Sequence, residues 1–154
     1  MKKILPLKEK GISPATIFNL FLFTLILTSC SEKRTSDARE AYMYWTDGYT
    51  SKEVEVLKGE YWQSAHWSKE YVVFLKLKVT ENWWTKYKEA NNFKRIDEID
   101  VLKSELFQID NPDWIKRPDW FIPTKGGEVY ELFGGSKYFW NAKNKTLFIY
   151  EIQL

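Results

Sequence analysis

The chain of 154 residues carries one histidine, His66, and one cysteine, Cys30. A zinc site with two histidines cannot be built from that set, and a serine triad would have to centre on His66 with no nucleophile-elbow motif near it. His66 therefore reads as a structural or surface histidine in an aromatic loop. Acidic pairs are plentiful, yet Asp97, Glu98 and Asp100 read as the wet face of a helix, and Asp113 and Asp119 as turn caps beside their prolines. Hydrolysis of a glycosidic bond needs two carboxylates held at a set separation across a cleft, and no spacing here defines such a pair. Gly126-Gly127 and Gly134-Gly135 look like hairpin punctuation and not a phosphate-cradling G-x-x-x-x-G-K loop. No catalytic residue, metal site or cofactor is expected.

The aromatic residues offer a different chemistry. Tyr61, Trp62, Trp67, Trp114 and Trp120 fall in stretches with no clean period, and exposed Trp and Tyr are the usual anchors for glycan or protein partners. They are the candidate binding aromatics. The competing reading is that long loops fold back and use the same rings as core. Trp114 and Trp120 each close a Pro-Asp-Trp tripeptide, six residues apart, which is too few copies for a repeat architecture.

Cysteine chemistry is set by what precedes it. Lys2, Lys3, Lys8 and Lys10 against Glu9 make a basic start, Ile17 to Leu27 is an apolar run broken only by Asn19 and Thr24, and Leu27-Thr28-Ser29-Cys30 follows. The run suits a secretory signal and is short of the about 20 apolar residues a spanning helix needs. An aliphatic residue, two small residues and Cys resemble the lipobox of bacterial lipoproteins. The resemblance covers residues 1–30 and implies cleavage between Ser29 and Cys30, a diacylglycerol on the Cys30 thiol and an acylated amino group. Residues 1–29 are then a signal peptide and residues 30–40 a lipidated cysteine with a polar tether. Each buried acyl methylene adds about 0.8 kcal/mol, so two or more chains hold a protein to a membrane stably. In that family an Asp after the cysteine resembles an inner-membrane retention signal. Ser31 stands there instead, so the expected address is the outer membrane, facing the periplasm.

Removal of the signal leaves about 125 residues, one domain that buries roughly two-thirds of its chain's surface. Four of the 23 basic residues and one of the 21 acids lie in residues 1–29, leaving 19 against 20. The pI near 8.5 belongs largely to the part discarded. Lys116-Arg117 is an ordinary surface dipeptide, so no nucleic-acid partner is expected. With the single cysteine acylated no disulfide can form, and stability must come from packing. All 8 Trp and 9 Tyr lie beyond the signal, and each large aromatic buries about 150–250 Å².

The elements read as a single α+β domain over 41–154: a small antiparallel sheet with one or two helices on one face and a C-terminal hairpin. Val54 and Val56 alternate with Glu53 and Glu55 until Gly59 breaks the pattern. Tyr71, Val73, Leu75, Leu77 and Val79 line one face of the clearest strand, predicting a sheet covered on one side. Thr80 predicts the cap of a helix reaching about Phe93, with Trp83, Trp84, Tyr87 and Ala90 on one stripe and Asn91-Asn92 as its stop. Ile96, Ile99, Leu102 and Leu106 predict a second helix, and three prolines make 111–123 irregular. Strands follow at Glu128–Phe133, Lys137–Trp140 and Thr146–Leu154. Phe148, Tyr150, Ile152 and Leu154 share a face, which puts the C-terminus inside the sheet.

The body resembles the many small uncharacterised bacterial lipoproteins that end in a strand hairpin. The implied role is a non-catalytic binding or structural module of the cell envelope, held to the membrane through its N-terminal lipid and meeting a protein or glycan partner. An immunity or inhibitor lipoprotein that neutralises a toxin or lytic enzyme is the second expectation. Metabolic palmitate labelling checks the anchor: label is expected on the wild type and absent from Cys30→Ala, and label retained by the mutant refutes the lipobox.

Overall fold

The computed structural model describes residues 31–66, 68–96, 115–123, 126–132 and 134–154. Its organising element is the strand with the longest apolar run, β3 (Tyr71–Val79), paired antiparallel on one side with β2 (Val54–Gln63) and on the other with β7 (Thr146–Gln153). The remaining strands are β1 (Lys33–Thr35), β4 (Lys94–Ile96), β5 (Glu128–Leu132) and β6 (Ser136–Asn141). Together they form a seven-stranded sheet in the order β1-β2-β3-β7-β6-β5-β4, antiparallel at every pairing. The α+β class stands, and the sheet is larger than the small one expected.

Residues 31–40, expected as a polar tether, are part of the fold. Lys33–Thr35 pairs with Tyr61–Gln63 as β1, and a helix, α1 (Ala38–Trp45), follows at once. Asp37 accepts a hydrogen bond from the Glu40 amide at 2.8 Å, and Thr35 holds the Glu40 carboxylate, so an N-cap forms from polar residues alone. Polarity suits an edge: β1 and β4 are three residues long and carry Lys33, Arg34, Lys94 and Arg95, charges that discourage another strand from adding.

Gly59 does not end β2. The strand continues through it to Gln63, and the break in alternation comes from an irregularity between Val56 and Lys58 that leaves Leu57 unpaired. Before that point Val54 and Val56 face the helices; after it Gly59, Tyr61 and Gln63 do, opposite Leu75, Val73 and Tyr71. Tyr61 and Trp62 are thus strand residues, although their stretch of sequence has no clean period.

Both faces of the sheet are covered, where one was expected. On the first, α1 and α2 (Glu81–Asn91) lie over Tyr61, Val73, Leu75, Leu77, Tyr138, Trp140, Leu147 and Ile149. Thr80 caps α2 by accepting from the Trp83 amide at 3.1 Å, and Asn92 ends it in the left-handed conformation at φ 52°. Trp84 is buried against Phe93, Tyr130 and Trp140, whereas Ala90, placed on the same stripe by its spacing, is exposed. On the second face Val72, Phe74, Phe139, Phe148 and Tyr150 are also apolar and need a cover. The irregular segment 115–123 supplies it, with Phe121 fully buried edge-on to Phe74, Phe139 and Phe148.

Ile96 belongs to β4, paired with Val129, and not to a helix; Ile99, Leu102 and Leu106 lie outside the described residues. The β6–β7 hairpin forms, with Lys145 at φ 55° closing its turn. β7 sits fourth of seven strands, so the C-terminal segment is central, although Leu154 itself is 66% exposed.

Gly59 is the point of closest approach between helix and sheet. A Cβ there would meet the Ala41 Cβ at 2.9 Å, the Ala38 carbonyl oxygen at 3.0 Å and a Leu75 methyl at 3.0 Å. Gly59→Val is expected to lower unfolding free energy by about 1–3 kcal/mol through overpacking, read as the denaturant midpoint. Ala41→Gly in the same chain is expected to restore part of it; an unchanged midpoint for Gly59→Val refutes the close approach.

Candidate functional site

The residues singled out from sequence divide between the two faces of the sheet, although Tyr61 and Trp62 both line a cavity of about 450 Å³ beside β1. Tyr61 is buried, 2% exposed, on the helix face, and its hydroxyl donates to Gln63 Oε1 at 3.0 Å. Trp62 and Trp120 are half-buried on the opposite face, where their indole N–H groups donate to Glu32 Oε1 at 2.8 Å and Glu60 Oε1 at 3.1 Å. These three rings pack into the two cores rather than standing free. Ser29, Cys30, Trp67 and Trp114 lie outside the described residues. His66 is exposed in the β2–β3 turn.

A different group does come together. β7 alternates between the two cores, and its helix-facing positions run Leu147, Ile149, Glu151. The third of these puts a carboxylate on an otherwise apolar surface. Cross-strand pairing sets Glu151 opposite Val73 on β3, with Tyr71 two residues along, and sets Ile149 opposite Tyr138 on β6. The Tyr71 hydroxyl donates to Glu151 Oε1, the Tyr138 hydroxyl to Oε2, and the Trp45 indole N–H, at the last position of α1, to Oε2 at 3.0 Å. Three neutral donors from three elements therefore hold one carboxylate, and none of the ion pairs among the described residues includes it.

Above this carboxylate α1 and α2 leave a cavity of about 300 Å³, open to solvent and lined by Tyr42, Trp45, Tyr49, Trp83, Tyr87 and Glu151. Trp83 and Tyr87, one turn apart on α2, stack with centroids 4.9 Å apart and planes within 7°. Trp45 meets Tyr87 at 6.0 Å and Tyr42 at 5.9 Å, closing the wall across the two helices. Asp47 at φ 52° and Gly48 at φ 87° turn the chain back after α1, and Tyr49 stands at the mouth, 70% exposed. Thr46 spends its hydroxyl on the carbonyls of Tyr42 and Tyr49, at 2.9 and 2.7 Å, so it fixes the rim.

Burial sets the acid–base state of the phenols. It pushes Tyr138 and Tyr71 well above the usual tyrosine range, with the adjacent Glu151 charge adding to the effect, and raises Tyr87 in the same way. Tyr61 and Tyr130 are each pushed up to about 12, again first by burial. The phenols therefore stay protonated and act as donors across the physiological range. Glu151 is the one acid among the described residues that line this cavity, and it places a carboxylate under an aromatic wall. Comparison with protein-family models, characterised proteins and solved structures finds no match to this chain.

Sequence offers one signal for this site: between Thr146 and Gln153 the run LFIYEI is apolar at both parities except at Glu151, which stands in phase with Leu147 and Ile149. Phe148, Tyr150 and Ile152 share the other face.

Because the folded state favours neutral phenols, its advantage is complete below the unfolded tyrosine value of 10.0 and is lost as pH rises toward the folded values, about 12 for Tyr61 and Tyr130. The melting temperature is expected to be level from about pH 7 to 9 and to fall from about pH 10 upward. Tyr138→Phe is expected to be less stable at neutral pH, having left Glu151 short of a donor, and to lose less on going to pH 11. A parallel fall in mutant and wild type overturns the assignment.

Proposed function

We propose that the chain is a lipid-anchored, non-catalytic binding module of a bacterial envelope, fixed through Cys30 to the outer membrane on its periplasmic side and presenting the cavity between α1 and α2 to a ligand. The observation that carries the binding reading is that cavity: aromatic walls on two helices, rigidly backed by the sheet, with a single charged group at its floor. The address rests on the run Leu27-Thr28-Ser29-Cys30. Ligand pockets are commonly concave, mostly apolar, and supplied with a few fixed polar groups, and this one fits that description at the small end of the range.

Anchoring and fold bear on each other. With β1 starting at Lys33, only Ser31 and Glu32 separate the proposed lipidated residue from the first strand, a reach of about 10 Å at most. A module on so short a lead works next to the membrane and does not reach across the periplasm. A carboxylate whose oxygens already accept from Tyr71, Tyr138 and Trp45 is held in position from three elements.

Density-gradient fractionation of the envelope and affinity capture from it test both halves. The wild type is expected in the outer-membrane fraction. Tyr49→Ala with Trp83→Ala, which strip exposed and half-buried rings from the cavity and leave the Glu151 contacts in place, are expected to keep the melting temperature within a few degrees while abolishing ligand capture. Capture undiminished in the folded double variant removes the cavity from the function, and recovery from the aqueous fraction removes the anchor.

A further inference from the structure

The geometry points to a quaternary ammonium ion as the ligand of the cavity between α1 and α2, bound against the rings of Trp45, Trp83 and Tyr87 over the Glu151 carboxylate. This deepens the binding reading above and rests on it.

Glu151 is half-buried on the apolar face of the sheet, and its three partners are neutral. Hydrogen bonds hold the carboxylate and delocalise its charge, but they do not cancel it. A charge withdrawn from water without a counter-ion is costly, and a cation entering the cavity would relieve that cost. The wall is suited to the same guest: aromatic faces attract cations through their quadrupoles, and Trp does so best. Of the two lysines on α2, Lys88 is engaged over the Trp84 and Tyr130 rings at 5.5 and 5.0 Å and bonded to the Tyr130 hydroxyl at 3.2 Å, and Lys86 lies close enough to Glu53 to act on its charge. Lys69 pairs with Asp47 at 2.6 Å, and Lys33 lies over Tyr44.

The kind of cation follows from what the cavity lacks. A carboxylate offers about four lone-pair sites, and three here are taken, leaving about one. The Thr46 hydroxyl and the Trp45 indole N–H are spent on protein acceptors. A sugar, with many hydroxyls to satisfy, would find the Tyr42 and Tyr49 phenols and about one carboxylate lone pair, fewer partners than it needs; a primary ammonium, with three donors, would also be left short. A quaternary ammonium donates no hydrogen bond, spreads its charge over methyl groups, and needs only apolar contact and a negative potential. A trimethylammonium group fits within about 300 Å³.

The test uses the full chain isolated from its envelope in a polyoxyethylene detergent, with tryptophan fluorescence and calorimetry as readouts. Tetramethylammonium and choline are expected to bind saturably, and the uncharged choline isostere 3,3-dimethylbutanol about tenfold or more weakly. A short-chain phosphatidylcholine below its micelle concentration tells a lipid headgroup from a free solute. Glu151→Gln is expected to erase the preference for charge. Should that variant misfold, the isostere comparison on the wild type and Trp83→Leu, expected to lose about tenfold in affinity, decide the matter without it. Equal binding of choline and its isostere, or a disaccharide binding in place of either, overturns the cation while leaving a binding cavity intact. No saturable binding of any of these overturns the inference, and the capture experiment then decides separately whether the cavity binds at all.

Discussion

The pairing of β3 with β7 is the constraint on which the rest of the structure depends. Eight residue pairs, from Tyr71 with Gln153 to Lys78 with Thr146, join strands separated by most of the domain's length in sequence. Until that ladder forms, neither face of the sheet exists, because the apolar positions of both faces are concentrated on these two strands and their neighbours β2 and β6. Residues buried on both faces read as continuous apolar runs, and VVFLKLKV and LFIYEI do so, except where a lysine or Glu151 interrupts them. The edge strands contribute little apolar surface and are short and charged, so the sheet gains its stability at the centre and protects itself at the rim.

Aromatic packing then takes the place of covalent staples. On the helix face Trp84 contacts Tyr87, Phe93, Tyr130 and Trp140 as one cluster, at ring separations between 5.4 and 6.2 Å. On the other face Phe121 enters edge-on among three phenylalanines. Pairs of this kind add about 0.5–1.5 kcal/mol beyond their area. They also set exact separations between layers, and Gly59 shows how tight one of these is. The same packing leaves the Trp84 indole N–H as a buried donor with no partner among the described residues, a cost of about 1–3 kcal/mol that the surrounding ring contacts must exceed.

Legibility in the sequence followed the regularity of the local pattern. β3, α2 with its Thr80 and Asn92 caps, and the β6–β7 hairpin were readable because apolar period, cap chemistry and turn residues agree there. β2 was half readable: the unpaired Leu57 shifts the helix-facing positions from even to odd, so Tyr61 is out of phase with Val54 and Val56, and Trp62, in phase with them, lies on the other face. Gly59 looked like a breaker although its role is to admit Ala41. SEKRTSDARE looked like a tether because an edge strand and a capped first turn are made of polar residues, although Asp37 and Glu40 hold the spacing of a capping box. The site was least legible. A strand buried on both sides has no wet face to which a charge can be assigned, and only the pairing of β7 with β3 and β6 shows which way Glu151 points.

That placement is difficult to explain as stabilisation alone. A carboxylate at the third inward position of a central strand forgoes the apolar contact that Leu147 and Ile149 make and incurs a desolvation cost, and an aliphatic residue of similar volume would be free of both penalties. Tyr71, Tyr138 and Trp45 lessen the cost by donating to it, which requires two phenols and an indole to be oriented from β3, β6 and α1 at once. Orientation from three elements fixes the carboxylate in space more firmly than a surface acid could be fixed. It also ties the end of α1, and with it the Trp45 wall and the Tyr49 rim, to the centre of the sheet. The arrangement sacrifices packing at one inward position and gains a preorganised carboxylate beneath an open aromatic cavity.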